Sequence, residues 1–497
     1  MNNIIQRLIC AALLGLVVAG CAKAPLASIS ATERASLETS LMRDIRVLAS
    51  DEYGGRKPGT AGERLTTDYI ISNLQAAGFE SGTNDPGNAW RAPVELVSVR
   101  PQSGSVTFEI EGKSLELEPD EAVVFTNRAR DFAEGADVVF VGYEAEDITD
   151  EMVAGKVVIM LGEPGKSPQR REILGSKRPA AILTTLDDAS GINNYRRAIG
   201  RENLSRASEE QEFFGGFVSN AALARVLGDE TWLQLRGSAD EEEFSPVTLN
   251  AKATIEATSQ RREFTSHNVI GRLPGSVPGA GAVLMLGHWD HLGECGPPEA
   301  EDRICNGAVD NASGISVMLE LARRLAATGP YDRDVFVLAT TAEESGLFGA
   351  QAFVEAPPIP REQFVAGFNF DTVALAPAAS PIGFIGEGRT PLDTLVLDVI
   401  AQTKREVGDR DLAESFVRRQ DGWALLDAGV PTVMLSSALG SRDIAETYLS
   451  GDYHRASDEA EGIELGGAVD DLLLHEELLR RVLNRNTYPA PEQADGG

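Results

Sequence analysis

GHWDHLGECGPPEAEDRICNGAVDNASG, residues 287–314, is the stretch from which the fold can be read. An apolar run, Ala282 to Leu286, leads into it and has the length and composition of a buried strand. Such a strand delivers His288 to its carboxyl end, where open α/β sheets place their sites. Asp290 stands two residues on, positioned to fix the tautomer of His288 and make the other ring nitrogen a better metal ligand. Asp310 follows across the loop, just before a helix predicted to begin near Ala312. A histidine, a supporting carboxylate and a second carboxylate around one strand–loop–helix turn point to a metal site.

Further apolar runs repeat the pattern downstream. Val335 to Ala339 ends in TTAEESGLFG, Phe364 to Phe370 ends in Asp371, and Pro431 to Leu435 ends in two serines. Helical spacing of Ile315, Met318, Leu319, Ala322 and Leu325 places a helix between the first two strands, stopped at Gly329-Pro330. A leucine-rich helix closes the chain over residues 466–484. Alternating strands and helices predict an α/β fold, with a mixed, mostly parallel sheet flanked by helices. Upstream, residues 33–48 and 65–77 read as two amphipathic helices around the Gly- and Pro-rich turn GGRKPGTAG, and both look like scaffold.

Residues 90–262 differ in character. Short β-like runs at 136–141, 157–161 and 180–183 alternate with acidic turns, and the His and paired-carboxylate density found later is missing. This predicts a separate, β-rich inserted module. Its Gly165-Lys166-Ser167 imitates the tail of a phosphate-binding loop, but Met160 stands where the leading glycine belongs.

The 497 residues suffice for two or three domains of about 100–200 residues each. A net charge of −31 argues against a nucleic-acid partner, because phosphate binding needs clustered Lys and Arg. The first residues read as an export signal, with Arg7, an apolar core from Leu8 to Val18, and Val18-Ala19-Gly20-Cys21 at its end. The last four resemble a bacterial lipobox, so cleavage before Cys21 and lipidation of its thiol are expected, with an ordinary signal peptide as the alternative. The chain is then organised as signal 1–20, tether 21–32, catalytic segments 33–89 and 263–486 around the insert, and a disordered tail 487–497. Export with the lipid as sole membrane anchor is expected, in the outer membrane facing the periplasm if the cell is Gram-negative. No other run reaches the roughly 18 apolar residues of a spanning helix. Only Cys295 and Cys305 then remain in the mature chain. An oxidising compartment makes a disulfide the first reading, and thiolate ligation of zinc the alternative.

His288, Asp310, Glu344, Asp371 and His454 all fall at strand ends or loops, and imidazole with carboxylate suits zinc. Glu343 and Glu344 are adjacent, so their side chains diverge. One can bind metal while the other acts as general base. In that order, GHWDHLG, GAVDNASG, TTAEESGLFG, NFD and DYHRASDE resemble the di-zinc aminopeptidase family, which also includes glutamate carboxypeptidase and the transferrin-receptor ectodomain. GRKPGTAG and HNVIGRLPGS are similar to its flanking segments. The resemblance implies the zinc exopeptidase fold, two Zn2+ per chain and peptide substrates. His288 and Asp371 would hold one zinc, Glu344 and His454 the other, and Asp310 would bridge them. Glu343 would be the base toward a water between the metals, and Asp290 would orient His288. Tyr453 would donate to the developing oxyanion, as in some relatives. The insert resembles a protease-associated domain. The cysteine-bearing loop departs from familiar members. His291 is given a supporting place, His267 and His475 structural ones, and Asp421 no role. The implied activity is that of an aminopeptidase. A carboxypeptidase or dipeptidase of the same family, a single-zinc glutaminyl cyclase and a non-enzymatic binding protein are the alternatives.

Overall fold

The computed structural model describes residues 29–187, 189–209, 212–241 and 243–489. The expected signal peptide, the lipidated Cys21 and nearly all of the tail lie outside the described residues. The chain divides into two compact units, Met1–Val94 with Ser266–Gly497, and Glu95–Thr265.

The first unit is built on a sheet in the order Gly383–Ile385, Thr432–Ser436, Phe364–Asn369, Ala282–His288, Asp334–Thr340, then Val269–Leu273 and the short strand Glu80–Ser81. The four strands in the middle are parallel, and antiparallel strands close both edges. Every residue of Ala282–His288 is buried, which explains why it reads as a continuous apolar run rather than an alternating one. Its side chains nonetheless serve two faces. Val283 and Met285 join a core with Leu41, Ile45, Ile70, Leu74, Ile315, Met318 and Leu472. These come from the helices Ala31–Leu48, Ala61–Ala77, Gly314–Thr328 and Gly466–Leu483. Leu284 and Leu286 pack on the opposite face with Phe336, Leu338, Phe353 and Leu425. Helices on both faces leave the carboxyl ends of the parallel strands as the place where loops gather, and the sequence puts its polar residues there.

Caps fix where these helices begin and end. Ser30 accepts from the Glu33 N–H at the first, and Thr60 from the Gly62 N–H at the second. Gly78 stops the second helix in the left-handed conformation, at φ 96°.

The second unit also carries parallel strands, in the order Arg130–Gly142, Val157–Met160, Ala181–Leu186 and Phe214–Ser219. Antiparallel neighbours flank them, Ala122–Thr126 on one side and the early part of Val247–Leu273 on the other. Helices Ser167–Gly175, Ala189–Ile199, Asn220–Leu227 and Asp229–Ser238 lie between and after these strands. Its own core includes Val138, Phe140, Val157, Ile159, Leu183, Val218 and Trp232. Helix content is thus higher than expected from the sequence: Ser167–Gly175 is polar, and the helical spacing of Ile192, Tyr195 and Ile199 in Ala189–Ile199 was not read.

Candidate metal centre

His288 is the last residue of its strand and is buried at 2% exposure. Gly287 precedes it for a steric reason: a Cβ there would lie 2.7 Å from the Phe370 carbonyl oxygen. The neighbouring Trp289 is fully buried, and its Nε1 donates to the His267 carbonyl oxygen at 3.0 Å, anchoring the strand end. His288 Nε2 faces Asp310 Oδ1 at 3.2 Å and Asp371 Oδ1 at 3.7 Å. The other carboxylate oxygen of Asp310 lies 3.4 Å from His454 Nε2, which also stands 2.8 Å from Glu344 Oε2. Asp310 therefore turns one oxygen to each of two ligand groups. The structure brings together all five residues expected to hold metal.

The electrostatics of this cluster show what it lacks. Burial would pull the His288 imidazole down, but Glu343, Asp310 and Asp371 outweigh it and hold its pKa well above the ordinary value. His454 is likewise raised to about 10, because the neighbouring carboxylates of Asp310 and Glu344 overcome burial. Asp310 stays well below the usual carboxylate range, where contacts with His288 and His454 overcome the penalty of burial. Positive charge at these imidazoles offsets a knot of buried carboxylates. A divalent cation fits the same place, for ligand atoms of His288, Asp310 and Glu344 lie within 4.8 Å of one another. His454 Nε2, although close to two carboxylates, is buried with no aligned hydrogen bond. That is the geometry of atoms aimed at a common point rather than at each other. The donor set fits zinc.

The second layer is only partly as expected. His288 Nδ1 lies 3.1 Å from the main-chain oxygen of Asp290, while the Asp290 carboxylate stands 3.9 Å away. That carboxylate instead accepts the Glu343 N–H at 3.1 Å, so it positions the backbone of Glu343. Burial raises Asp290 to about 8. Burial, with Asp421 and Glu344, also pushes the Glu343 carboxyl well above its ordinary range, against the pull of His288. His291 is buried beside Glu344, Nδ1 to Oε1 at 2.6 Å, which gives it a supporting contact. Tyr453 stacks on His454 with ring centroids 3.7 Å apart and lines one pocket with His288, Asp310, Glu343 and Asp371. Asp421 is buried near this group, accepts from the Thr340 hydroxyl and is raised to about 6 by burial. Cys295 and Cys305 are bonded to each other, with Cα atoms 5.7 Å apart, so neither is a metal ligand. His267 meets Glu63 at 3.1 Å, away from the ligands, and His475 is buried against Phe370.

Three supports escaped the sequence reading. Arg56 is buried and donates to the carbonyl oxygens of Leu48, Trp289, Asn306 and Gly307, at 2.5–2.9 Å. Asn311 donates to the carbonyls of His288 and Phe370 and accepts the Gly314 N–H, tying two strand ends to a helix start. Asp458 accepts the N–H groups of Val309 and Asp310. The signal for Asp458 was present in DYHRASDE, four residues past His454. Ala342, Thr372 and His454 adopt positive φ of 53°, 50° and 59°, a conformation that costs non-glycine residues roughly 1 kcal/mol or more and gathers at functional sites.

The sequence profile of Peptidase family M28 matches residues 268–470, the span that contains every ligand named above. A probable lipoprotein aminopeptidase, LpqL, of Mycobacterium tuberculosis is 24% identical over 437 residues, covering 84% of this chain and 75% of its own. An aminopeptidase of Pseudomonas aeruginosa is 25% identical over 348 residues, covering 68% of this chain but only 58% of its own length. Among solved structures, an aminopeptidase from Aneurinibacillus sp. strain AM-1 shares the fold, with a TM-score of 0.55 at 17% identity over 90% of this chain and 95% of that one. Residues 268–470 are thus similar to Peptidase family M28, and the chain shares the fold of a solved aminopeptidase.

Proposed function

We propose that the protein is a two-zinc aminopeptidase that removes residues from the free amino ends of peptides. One observation carries this reading: four candidate ligands gather around Asp310, while Glu343 lines the pocket shared by His288, Asp310 and Asp371 without joining them. His288 and Asp371 would hold one ion, His454 and Glu344 the other, and Asp310 both. When bound, the ions supply Lewis acidity and make water a nucleophile near neutral pH. Glu343 takes the proton of the attacking water and returns it to the leaving amine. The Asp290 carboxylate, bonded to the Glu343 N–H, holds that base in place. The Tyr453 hydroxyl would donate to the oxygen on which charge develops.

Lipid attachment at Cys21 and a place in the cell envelope belong to the same proposal, supported by the lipobox and by the name of the mycobacterial relative. No helix of the described residues is long and apolar enough to cross a membrane.

The test is zinc content together with hydrolysis of aminoacyl-p-nitroanilides and their N-acetylated counterparts. Two zincs per chain and cleavage of free-amine substrates alone are expected. Glu343→Gln should keep both zincs and lose turnover by about 10²-fold or more. Cleavage of the blocked substrates, or near-normal turnover in that variant, overturns the assignment.

A further inference from the structure

The second unit contains a cavity of about 410 Å³ that no step above uses. Its floor is formed by the carboxyl ends of the parallel strands Val157–Met160 and Ala181–Leu186, the position at which open α/β sheets admit ligands. Arg171 lines it, half-buried. Its guanidinium lies over the Phe217 ring at 5.2 Å, and Phe217 stacks on Tyr195 at 3.9 Å. No carboxylate pairs with Arg171 among the described residues, in a chain whose acids outnumber its bases by 31. Burial pulls this guanidinium below its ordinary pKa, and only the Tyr195 ring opposes that. Among the described residues, the one polar contact of its five N–H donors is to Thr184 Oγ1 at 3.5 Å, too long to satisfy it. A contact with an aromatic face contributes about 1 kcal/mol and leaves those donors free.

A complementary deficit lies in the same cavity. Asn220 donates to Asp187 Oδ1 at 3.1 Å, but its own Oδ1 is buried with no hydrogen-bond partner. The cavity thus holds an unanswered cation, an unanswered acceptor beside a carboxylate, and aromatic walls. Glu163 is already answered by Lys166 and Arg170 at 2.7 and 2.8 Å. Asp187 on the rim would repel a phosphate dianion. What fits is a molecule with one carboxylate, one amine and an apolar body.

We propose that this cavity binds a free amino acid, its carboxylate on Arg171, its amine toward Asn220 and Asp187, and its side chain against Tyr195 and Phe217. The site is separate from the metal centre, and the proposal does not depend on the peptidase reading.

Equilibrium dialysis of the full-length protein with labelled L-phenylalanine tests it. A His288→Ala background removes binding at the metal centre. Saturable binding should persist there and weaken about tenfold or more in Arg171→Gln, the loss of one charge-assisted pair. Asn220→Leu should weaken phenylalanine more than N-acetyl-phenylalanine, because only the former brings the amine. Absence of saturable binding in the His288→Ala background overturns the proposal. So does affinity unchanged from that background in both cavity variants, or displacement by inorganic phosphate but not by unlabelled phenylalanine.

Discussion

Asp458 holds Asp310 by its backbone: one carboxylate oxygen accepts the Asp310 N–H at 3.1 Å, and the other accepts that of Val309 at 2.9 Å. The Tyr448 hydroxyl donates to the same group at 3.0 Å. The residue that faces both ligand groups is therefore placed by another carboxylate, which burial pushes above its ordinary pKa. Asp458→Ala removes both acceptors without touching a ligand. Zinc affinity should fall about 10–100-fold, the usual cost of losing such an outer support. Competition against a graded chelator measures it, and unchanged affinity would show that the loop holds its shape alone.

Arg56 is a buried cation close to the acidic centre. Burial lowers its pKa to about 10, against the pull of Asp310, Asp458, Asp290 and Glu344. Its bonds end on carbonyl oxygens of one helix end and two loops, and both loops flank candidate ligands. Arg56→Met leaves those oxygens buried and unanswered, at about 3 kcal/mol or more of stability. Arg56→Lys should recover only part of it, since an ammonium has three donors and no planar fork. Urea unfolding of both variants checks the order. A Lys variant as stable as the wild type would mean that the fork geometry is irrelevant.

The central strands were legible because full burial leaves an uninterrupted apolar run, as at Ala282–Leu286 and Val335–Ala339. The ligands were legible because each follows such a run or sits in a motif of fixed order. Arg56 was not, since a Gly- and Pro-rich turn announces only its own bend. The worth of its guanidinium depends on carbonyls about 8 to 250 residues away in sequence. The Asp290 carboxylate was legible as part of the site but not in its partner. A spacing of two residues from His288 says nothing about whether the side chain or the main-chain oxygen turns toward the ring.

The Cys295–Cys305 bond closes a loop of sequence separation 10 between His288 and Asp310. Short antiparallel pairing of Gly293–Glu294 with Ile304–Cys305 already folds that loop. By chain entropy, the cross-link contributes about 3 kcal/mol. Replacing both cysteines by serine should lower stability by about 2–3 kcal/mol. The same drop should follow when the wild-type protein is melted with reductant. If oxidised and reduced proteins melt together, the strand pairing alone holds the loop.

His475 predicts how stability responds to acid. Its ring lies between Phe368 and Phe370, with centroids 6.0 and 4.6 Å away, and Nε2 is buried without a partner. Burial lowers its pKa to about 4, below the 6.5 of an exposed imidazole. Between those values the unfolded chain takes up a proton that the folded chain refuses, so stability falls with pH. The contribution is intact above about pH 6.5 and is lost progressively toward pH 4, to a limit of about 3 kcal/mol. Carboxylates titrate in the same range, so the informative quantity is the difference between wild type and His475→Leu. The variant should lose less stability than wild type between pH 7 and pH 4, by about 2–3 kcal/mol in urea titrations. Parallel curves for the two proteins would mean that the folded chain admits the proton after all.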